Sequence, residues 1–280
     1  MKGKIVLITG ATSGIGEATA MALAKMQATL VLVARDKNKA IETVEEIKSE
    51  SKNPNVEYLL CDLSSLSSVR QLAAEFKNKY NRLDVLINNA GLILSKRETT
   101  IDGFEKTLAV CHLAHFLLTN LLLDTIKSSK PSRIINVSSV AHLMGHIDFD
   151  DLMFEKKYSS AKSYGQAKLA NVLFTKKLAE KLEGTEVTVN SVHPGGVNTK
   201  FDRDLKGFYK FAWSSFKPFL LTPEKGAETS IYLASSPEVD GVSGEYFAKK
   251  KIKRTSKESY DSEIADKLWK VSEKFAGLVA

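Results

Sequence analysis

Six short aliphatic and β-branched runs punctuate this chain at residues 5–8, 30–33, 56–60, 85–87, 133–137 and 187–192. Stretches of helical periodicity separate them, with helices predicted over 18–26, 40–49, 66–80 and 162–182. In such alternation each helix carries the chain back across a sheet face, so successive strands run parallel. Most of the runs are apolar nearly throughout, as in strands covered on both faces. The expected fold is therefore α/β, a doubly wound parallel sheet with helices on both faces and ligands at the carboxyl ends of the strands. No linker rich in Pro, Gly or Ser divides the 280 residues, so 1–280 is expected to form a single domain.

Charge and cysteine usage exclude several functions. The chain carries 40 Lys and Arg against 33 Asp and Glu, a net +7, but acidic residues are interleaved almost everywhere. That describes a solvated surface, and no nucleic-acid partner is expected. Lys249, Lys250, Lys251, Lys253 and Arg254 form a dense basic run, read as a solvated loop, with a patch for phosphate or lipid head groups as the alternative. Cys61 and Cys111 match no metal-ligand spacing and lie in apolar segments, so two separate buried thiols are expected, with neither a disulfide nor a metal. The longest apolar stretch, 113–123, is interrupted by His115, Thr119 and Asn120, and no membrane span is predicted.

Chemistry enters directly after the first run, at Thr9-Gly10-Ala11-Thr12-Ser13-Gly14-Ile15-Gly16, with a helix predicted to open at Glu17. Glycines there let the backbone turn tightly and approach a pyrophosphate, whose charge meets the free N–H groups and positive end of the helix. A strand, such a loop and a helix in the first βαβ unit point to a Rossmann-type dinucleotide site contacted by Gly10, Thr12, Ser13, Gly14, Ile15 and Gly16. At the end of the second run Arg35 suits the 2′-phosphate of NADP(H), while Asp36 would suit the ribose of NAD if the strand ended earlier. Asp62, followed by Leu63, closes the third run. It could hydrogen-bond the adenine amino group or cap the next helix.

These features, with Asn88-Asn89-Ala90-Gly91 after the fourth run and Tyr164-Gly165-Gln166-Ala167-Lys168, make the chain resemble the short-chain dehydrogenase/reductase family over nearly its whole length. Val137-Ser138-Ser139-Val140-Ala141-His142, Lys168 to Thr175, Ser191-Val192-His193-Pro194-Gly195 and Leu268 to Glu273 look most like the retinol dehydrogenase and WW-domain-oxidoreductase-like branch. The resemblance implies an NADP(H)-dependent oxidoreductase acting on a small lipophilic alcohol or carbonyl, retinoid-like or another apolar aldehyde or ketone, as a carbonyl reductase would. It also implies a cytoplasmic setting, because membrane-bound relatives carry an N-terminal anchor not seen here. A homodimer stays open.

Residue by residue, the resemblance assigns catalysis to Ser139, Tyr164 and Lys168. Tyr164 and Lys168 are four apart and share a helix face, where an ammonium can stabilise a phenolate and tune it for proton exchange. Ser139, or Ser138 if the register shifts by one, would hydrogen-bond the reacting oxygen. Asn89, Ala90 and Gly91 would line the cofactor cleft, with Asn88 and Asn89 open to a second reading as turn residues. Pro194, Gly195, Val197 and Thr199 resemble the loop that holds the nicotinamide carboxamide and the phosphates. Seven aromatic residues crowd into 201–221, either a lid over an apolar substrate or a pair of core helices. One departure stands out. Where this branch reads Asn-His-Leu-Gly-His-Phe, the chain has Cys111-His112-Leu113-Ala114-His115-Phe116. The family asparagine supports a water linked to the lysine, and a thiol cannot copy an amide. A cofactor-binding regulatory or scaffold protein with impaired catalysis is therefore the competing expectation.

Overall fold

A computed structural model describes residues 1–196 and 221–279. Its strands are β1 (Ile5–Thr9), β2 (Thr29–Ala34), β3 (Val56–Leu60), β4 (Val85–Asn88), β5 (Ser132–Val137), β6 (Val187–His193), β7 (Tyr246–Ala248) and β8 (Lys251–Ile252). They form one sheet in the order β3-β2-β1-β4-β5-β6-β7-β8, parallel except for the β7–β8 pair. The predicted doubly wound sheet is thus present. Its helices are α1 (Gly14–Lys25), α2 (Lys37–Ser51), α3 (Leu66–Lys79), a short α4 (Lys106–Leu108), α5 (Ala114–Ser128), α6 (Ser160–Lys181), α7 (Pro223–Ser235) and α8 (Ser262–Phe275).

The pleat sends alternate residues of each strand into different cores. Leu7, Val31, Val33, Leu86 and Ile134 pack with α3, α5 and α6, while Val6, Ile8, Leu30, Leu32, Val85, Ile87 and Ile135 pack with α1, α2 and α7. Both faces are therefore apolar, which is why the sequence shows runs and not alternation. Helix α8 lays Leu268 beside α6 and Trp269 against Phe116 and Phe174, whose ring centroids lie 4.9 and 5.9 Å away. Arg70 of α3 donates to the carbonyls of Ala276 and Gly277 and so ties down the end of α8.

Lys106–Ser128 is long and apolar enough to cross a membrane by length and composition, but 72% of its apolar window is buried inside the protein. It packs here as a core helix against α3 and the sheet.

Three details differ from the sequence expectations. Helix α1 opens at Gly14, before Glu17, because glycines that are poor helix formers cost little in a first turn whose N–H groups have no partner anyway. The basic run is not one loop. Lys249 and Lys250, at φ +52° and +60°, make the two-residue turn of the β7–β8 hairpin, and Lys251 lies in β8, an edge strand where charge discourages further pairing. Finally, the path from α4 to α5 passes through a π-turn, Ala109–Leu113, whose extra residue no apolar periodicity announces.

Candidate active site

The strand order reverses beside β1, whose neighbours are β2 and β4, so the loops after β1 and β4 diverge and leave a crevice at their carboxyl ends. The two loops are stitched together. Asn89 Nδ2 donates to the carbonyls of Thr9 (2.8 Å) and Gly10 (3.2 Å), and the N–H groups of Asn89 and Ala90 donate to Thr9 Oγ1 at 2.9 and 3.0 Å. Asn88 points the other way, donating to Thr119 and Asn136 in the core. Asn89 thus shapes the crevice, which Ala90 and Gly91 border, while Asn88 ties β4 to β5 and α5.

Contact with this stitched loop leaves no room for side chains at Gly10 and Gly16. A Cβ on Gly10, which sits at φ +65°, would come within 2.9 Å of Ala90 Cα, and one on Gly16 would strike the Gly10 carbonyl and meet Asn89 Nδ2 at 2.5 Å. Ser13 precedes α1 with no side-chain cap, so the first N–H groups of that helix stay available at the crevice. Thr12, Ser13, Gly14 and Ile15 are half-buried around it. Arg35 is exposed just beyond β2, and Gly10 N bonds the carbonyl of Val33 two residues before it. Asp36 accepts from Lys39 N as the cap of α2, which occupies the carboxylate that would otherwise have suited a ribose. Asp62 is exposed and bonds Ser64, while Ser65 caps α3, so the capping alternative for Asp62 fails. Leu63 turns its side chain into the core, which leaves its backbone as the part able to meet a ligand.

Past β5 the register question resolves. Ser138 is buried and donates to the Lys168 carbonyl at 2.7 Å, whereas the Ser139 hydroxyl accepts from Ala141 N and lies near the Tyr164 phenol, whose pKa it draws down. Helix α6 carries Tyr164 and Lys168 on one face, with Lys168 Nζ 5.5 Å from the Tyr164 ring centroid and donating to the Val137 carbonyl at 2.9 Å. A close glycine contact positions α6: a Cβ on Gly145, just beyond the turn Val140–Met144, would run into the Gly165 carbonyl.

The electrostatics differ from the expectation that Lys168 draws the phenol down. Burial, reinforced by Cys111 and Tyr246 and opposed by Ser139, pushes Tyr164 well above the ordinary tyrosine range. Burial also lowers Lys168 despite the opposing Cys111. With the ammonium directed at a backbone carbonyl, desolvation dominates both groups.

Cys111 sits fully buried in the π-turn. Its thiol donates to Leu92 O (3.5 Å) and accepts from Leu92 N (3.4 Å), gripping the backbone just beyond Gly91. Burial raises the thiol, with Lys168 and Leu92 N–H opposing, so it stays protonated and can do both. Cys61 is likewise buried and free.

Sequence reasoning passed over three histidines and a tyrosine around the site. His115 Nδ1 donates to the Cys111 carbonyl, and its Nε2 accepts from Thr9 Oγ1 at 3.0 Å. His142 Nδ1 donates to the Ser139 carbonyl while its ring lies 4.6 Å from that of Tyr246. His193 Nδ1 accepts from Val140 N. Burial, with the His142 charge adding to it, lowers His193 to about 4. The histidines lie inside motifs that carried the resemblance, but only proximity in the fold brings them to the site. Pro194 and Gly195 follow β6, and Gly195 at φ +95° sits against Leu221, whose N–H bonds the Gly196 carbonyl. Val197, Thr199 and the candidate lid at 201–221, apart from Leu221, lie outside the described residues.

Comparisons agree with this architecture. The short chain dehydrogenase family profile matches residues 4–209. Human (Homo sapiens) retinol dehydrogenase 13 is 45% identical over 285 residues, covering 99% of this chain and 86% of that protein. Among solved structures, a protein from Mycobacterium paratuberculosis superposes with a TM-score of 0.81 at 32% identity, covering 99% of this chain and 94% of that one. The Pseudomonas aeruginosa RhlG/NADP active-site complex gives a TM-score of 0.71 at 27% identity over 88% of this chain and 94% of that one. A stitched glycine crevice at the strand reversal, Ser139, Tyr164 and Lys168 beside it, and a match over most of its length identify this chain as a member of the short-chain dehydrogenase family, an oxidoreductase.

Proposed function

We propose that the chain, acting as one catalytic domain over 1–280, reduces a small lipophilic carbonyl with NADPH, with Tyr164 as the proton donor. The single observation that carries this reading is the convergence of Ser139, Tyr164 and Lys168 next to the glycine crevice. The crevice suits a dinucleotide: Gly10 and Gly16 have no room for a Cβ, Ser13 leaves the start of α1 without a side-chain cap, and Arg35 stands exposed where a 2′-phosphate would lie. Gly10, Thr12, Ser13, Gly14, Ile15, Gly16, Arg35, Asn89, Ala90 and Gly91 would hold it, with Asp62 and the Leu63 backbone at the adenine and Pro194, Gly195, Val197 and Thr199 at the nicotinamide. NADPH, when bound, supplies the hydride.

The protein's own part is the proton and the orientation. The buried Tyr164 phenol keeps its proton at neutral pH and stands where it can protonate a carbonyl oxygen. Ser139 donates a second hydrogen bond to that oxygen. His142, by holding the Ser139 carbonyl, keeps the serine aimed. Lys168, anchored on Val137, places its charge near the phenolate that forms when the proton leaves. Retinoid-like aldehydes belong among the first substrates to try, because relatives bear the name retinol dehydrogenase.

Cofactor oxidation over a panel of apolar aldehydes and ketones, with NADPH and NADH side by side, tests the proposal. Turnover with NADPH preferred is expected, and no turnover on any carbonyl overturns it. The alternative, a cofactor-binding regulatory protein, rested on Cys111 alone, and that thiol grips the Leu92 backbone in place.

A further inference from the structure

Behind Lys168 runs a buried polar chain that the reaction as described does not use. Asn171, three residues on along α6, is 1% exposed and donates Nδ2 to the Cys111 carbonyl at 2.9 Å and to the Val137 carbonyl at 3.2 Å. The second of these is the carbonyl that anchors Lys168 Nζ. Since carbonyls only accept, the amide orientation is fixed and Asn171 Oδ1 faces His112 Nδ1 as an acceptor, at 3.2 Å. His112 therefore carries its proton on Nδ1, and its Nε2 accepts from Ser272 Oγ of α8 at 3.0 Å. Burial, opposed by Asn171, lowers His112 to about 4, so the ring is neutral and the chain of donors has one direction. His112, Asn171 and Ser272 are each 1% exposed.

We propose that Asn171 is a positioning residue for Lys168, and that Ser272 and His112 make the C-terminal helix part of the catalytic scaffold. The inference rests on the reading that Lys168 serves Tyr164 in carbonyl reduction. A lysine head on a flexible stem goes where its acceptor is. Asn171 fixes that acceptor by bonding the end of β5 to the π-turn, whose thiol in turn grips the loop beyond Gly91. A buried asparagine in a helix interior is otherwise a poor choice, since its amide must find partners or lose stability. Here both of its donors go to segments beside the site, the end of β5 and the π-turn.

Asn171→Leu keeps the volume and removes both donors. With NADPH and the best carbonyl substrate, kcat should fall at least tenfold, while KM and the NADPH Kd stay within threefold of the parent. In a Lys168→Met background the same substitution should cost less than twofold more, because a residue that acts through Lys168 has nothing left to position. Equal losses in both backgrounds, or a folded Asn171→Leu with parental kcat, would overturn the proposal. If Asn171→Leu does not fold, the outer end decides: Ser272→Ala should lower kcat two- to fivefold and Ser272→Thr should restore it, and parental kcat in both overturns the proposal. The underlying reading fails separately, through a parent whose turnover is indifferent to Tyr164→Phe, whereas the proposal alone fails when Tyr164 matters and Asn171 does not.

Discussion

Replacing Cys111 by alanine removes a thiol that makes two hydrogen bonds to one backbone unit, from Leu92 N at 3.4 Å and to Leu92 O at 3.5 Å. Sulfur is a weak partner, so each bond is worth about 0.5–1 kcal/mol. The residue is 0% exposed, and the void left by the sulfur adds about 1 kcal/mol. The sum, about 2–3 kcal/mol, should lower Tm by roughly 4–10 °C in a protein of this size, as read by scanning calorimetry. Because Leu92 follows Gly91, whose Cβ position lies 3.4 Å from Lys168 Nζ, loosening that loop should also lower kcat about tenfold. Cys111→Asn offers a full amide to the same Leu92 groups but brings two more heavy atoms into a closed space, at a cost of about 1–3 kcal/mol. Its kcat should stay within about threefold of the parent, since the thiol already holds the Leu92 groups that the amide would reach. Parental Tm and kcat in Cys111→Ala would show that the thiol does not hold the loop at Leu92. A tenfold faster Cys111→Asn would show that the proton relay is impaired as found.

Two further outcomes are expected. Arg35→Ala should weaken NADPH about 10- to 100-fold in a fluorescence titration and leave NADH nearly unchanged, because one charge-assisted contact to the 2′-phosphate is worth about 1.5–3 kcal/mol. Equal losses for both would remove Arg35 from the site. At the opposite end of the sheet, burial pulls the Asp84 carboxyl up, but Arg82, Ile5 N–H and Lys4 outweigh it and hold the group below the usual range. A depressed folded pKa stabilises above the unfolded value near ~3.9 and is lost as pH falls through the folded one. Urea midpoints should therefore drop below about pH 4 in the parent but change less in Asp84→Asn, which should itself cost about 1–2 kcal/mol at pH 7, given the half-exposed cations. Parallel pH curves would contradict this.

Much of the fold was legible because parallel strands buried on both faces tend to be apolar nearly throughout, as β1, β2 and β4 are. Strands β7 and β8 were not: three and two residues long, they flank a lysine turn whose left-handed φ values no lysine propensity suggests. Within the site, Tyr164, Lys168 and the glycine loop stood out through spacing. Ser139 and Ser138 were separated only by the register of β5, which aims one hydroxyl at Tyr164 and the other at the Lys168 carbonyl. Asp36, a ribose ligand by position alone, bonds the start of its own helix, since a short carboxylate beside free N–H groups satisfies those first. Asn171, His112 and His115 were invisible as a group because Thr9, the π-turn, α6 and α8 meet only in the folded chain.

Tyr164 is the proposed proton donor. Tyr164→Phe removes one oxygen and leaves the ring in place, so single-turnover reduction of the best carbonyl substrate with bound NADPH measures that proton directly. The rate should fall by ~10²–10⁴-fold while Tm and the NADPH Kd remain near the parent's. Reduction at the parental rate by a folded, NADPH-saturated Tyr164→Phe protein would contradict the claim and place the acid elsewhere.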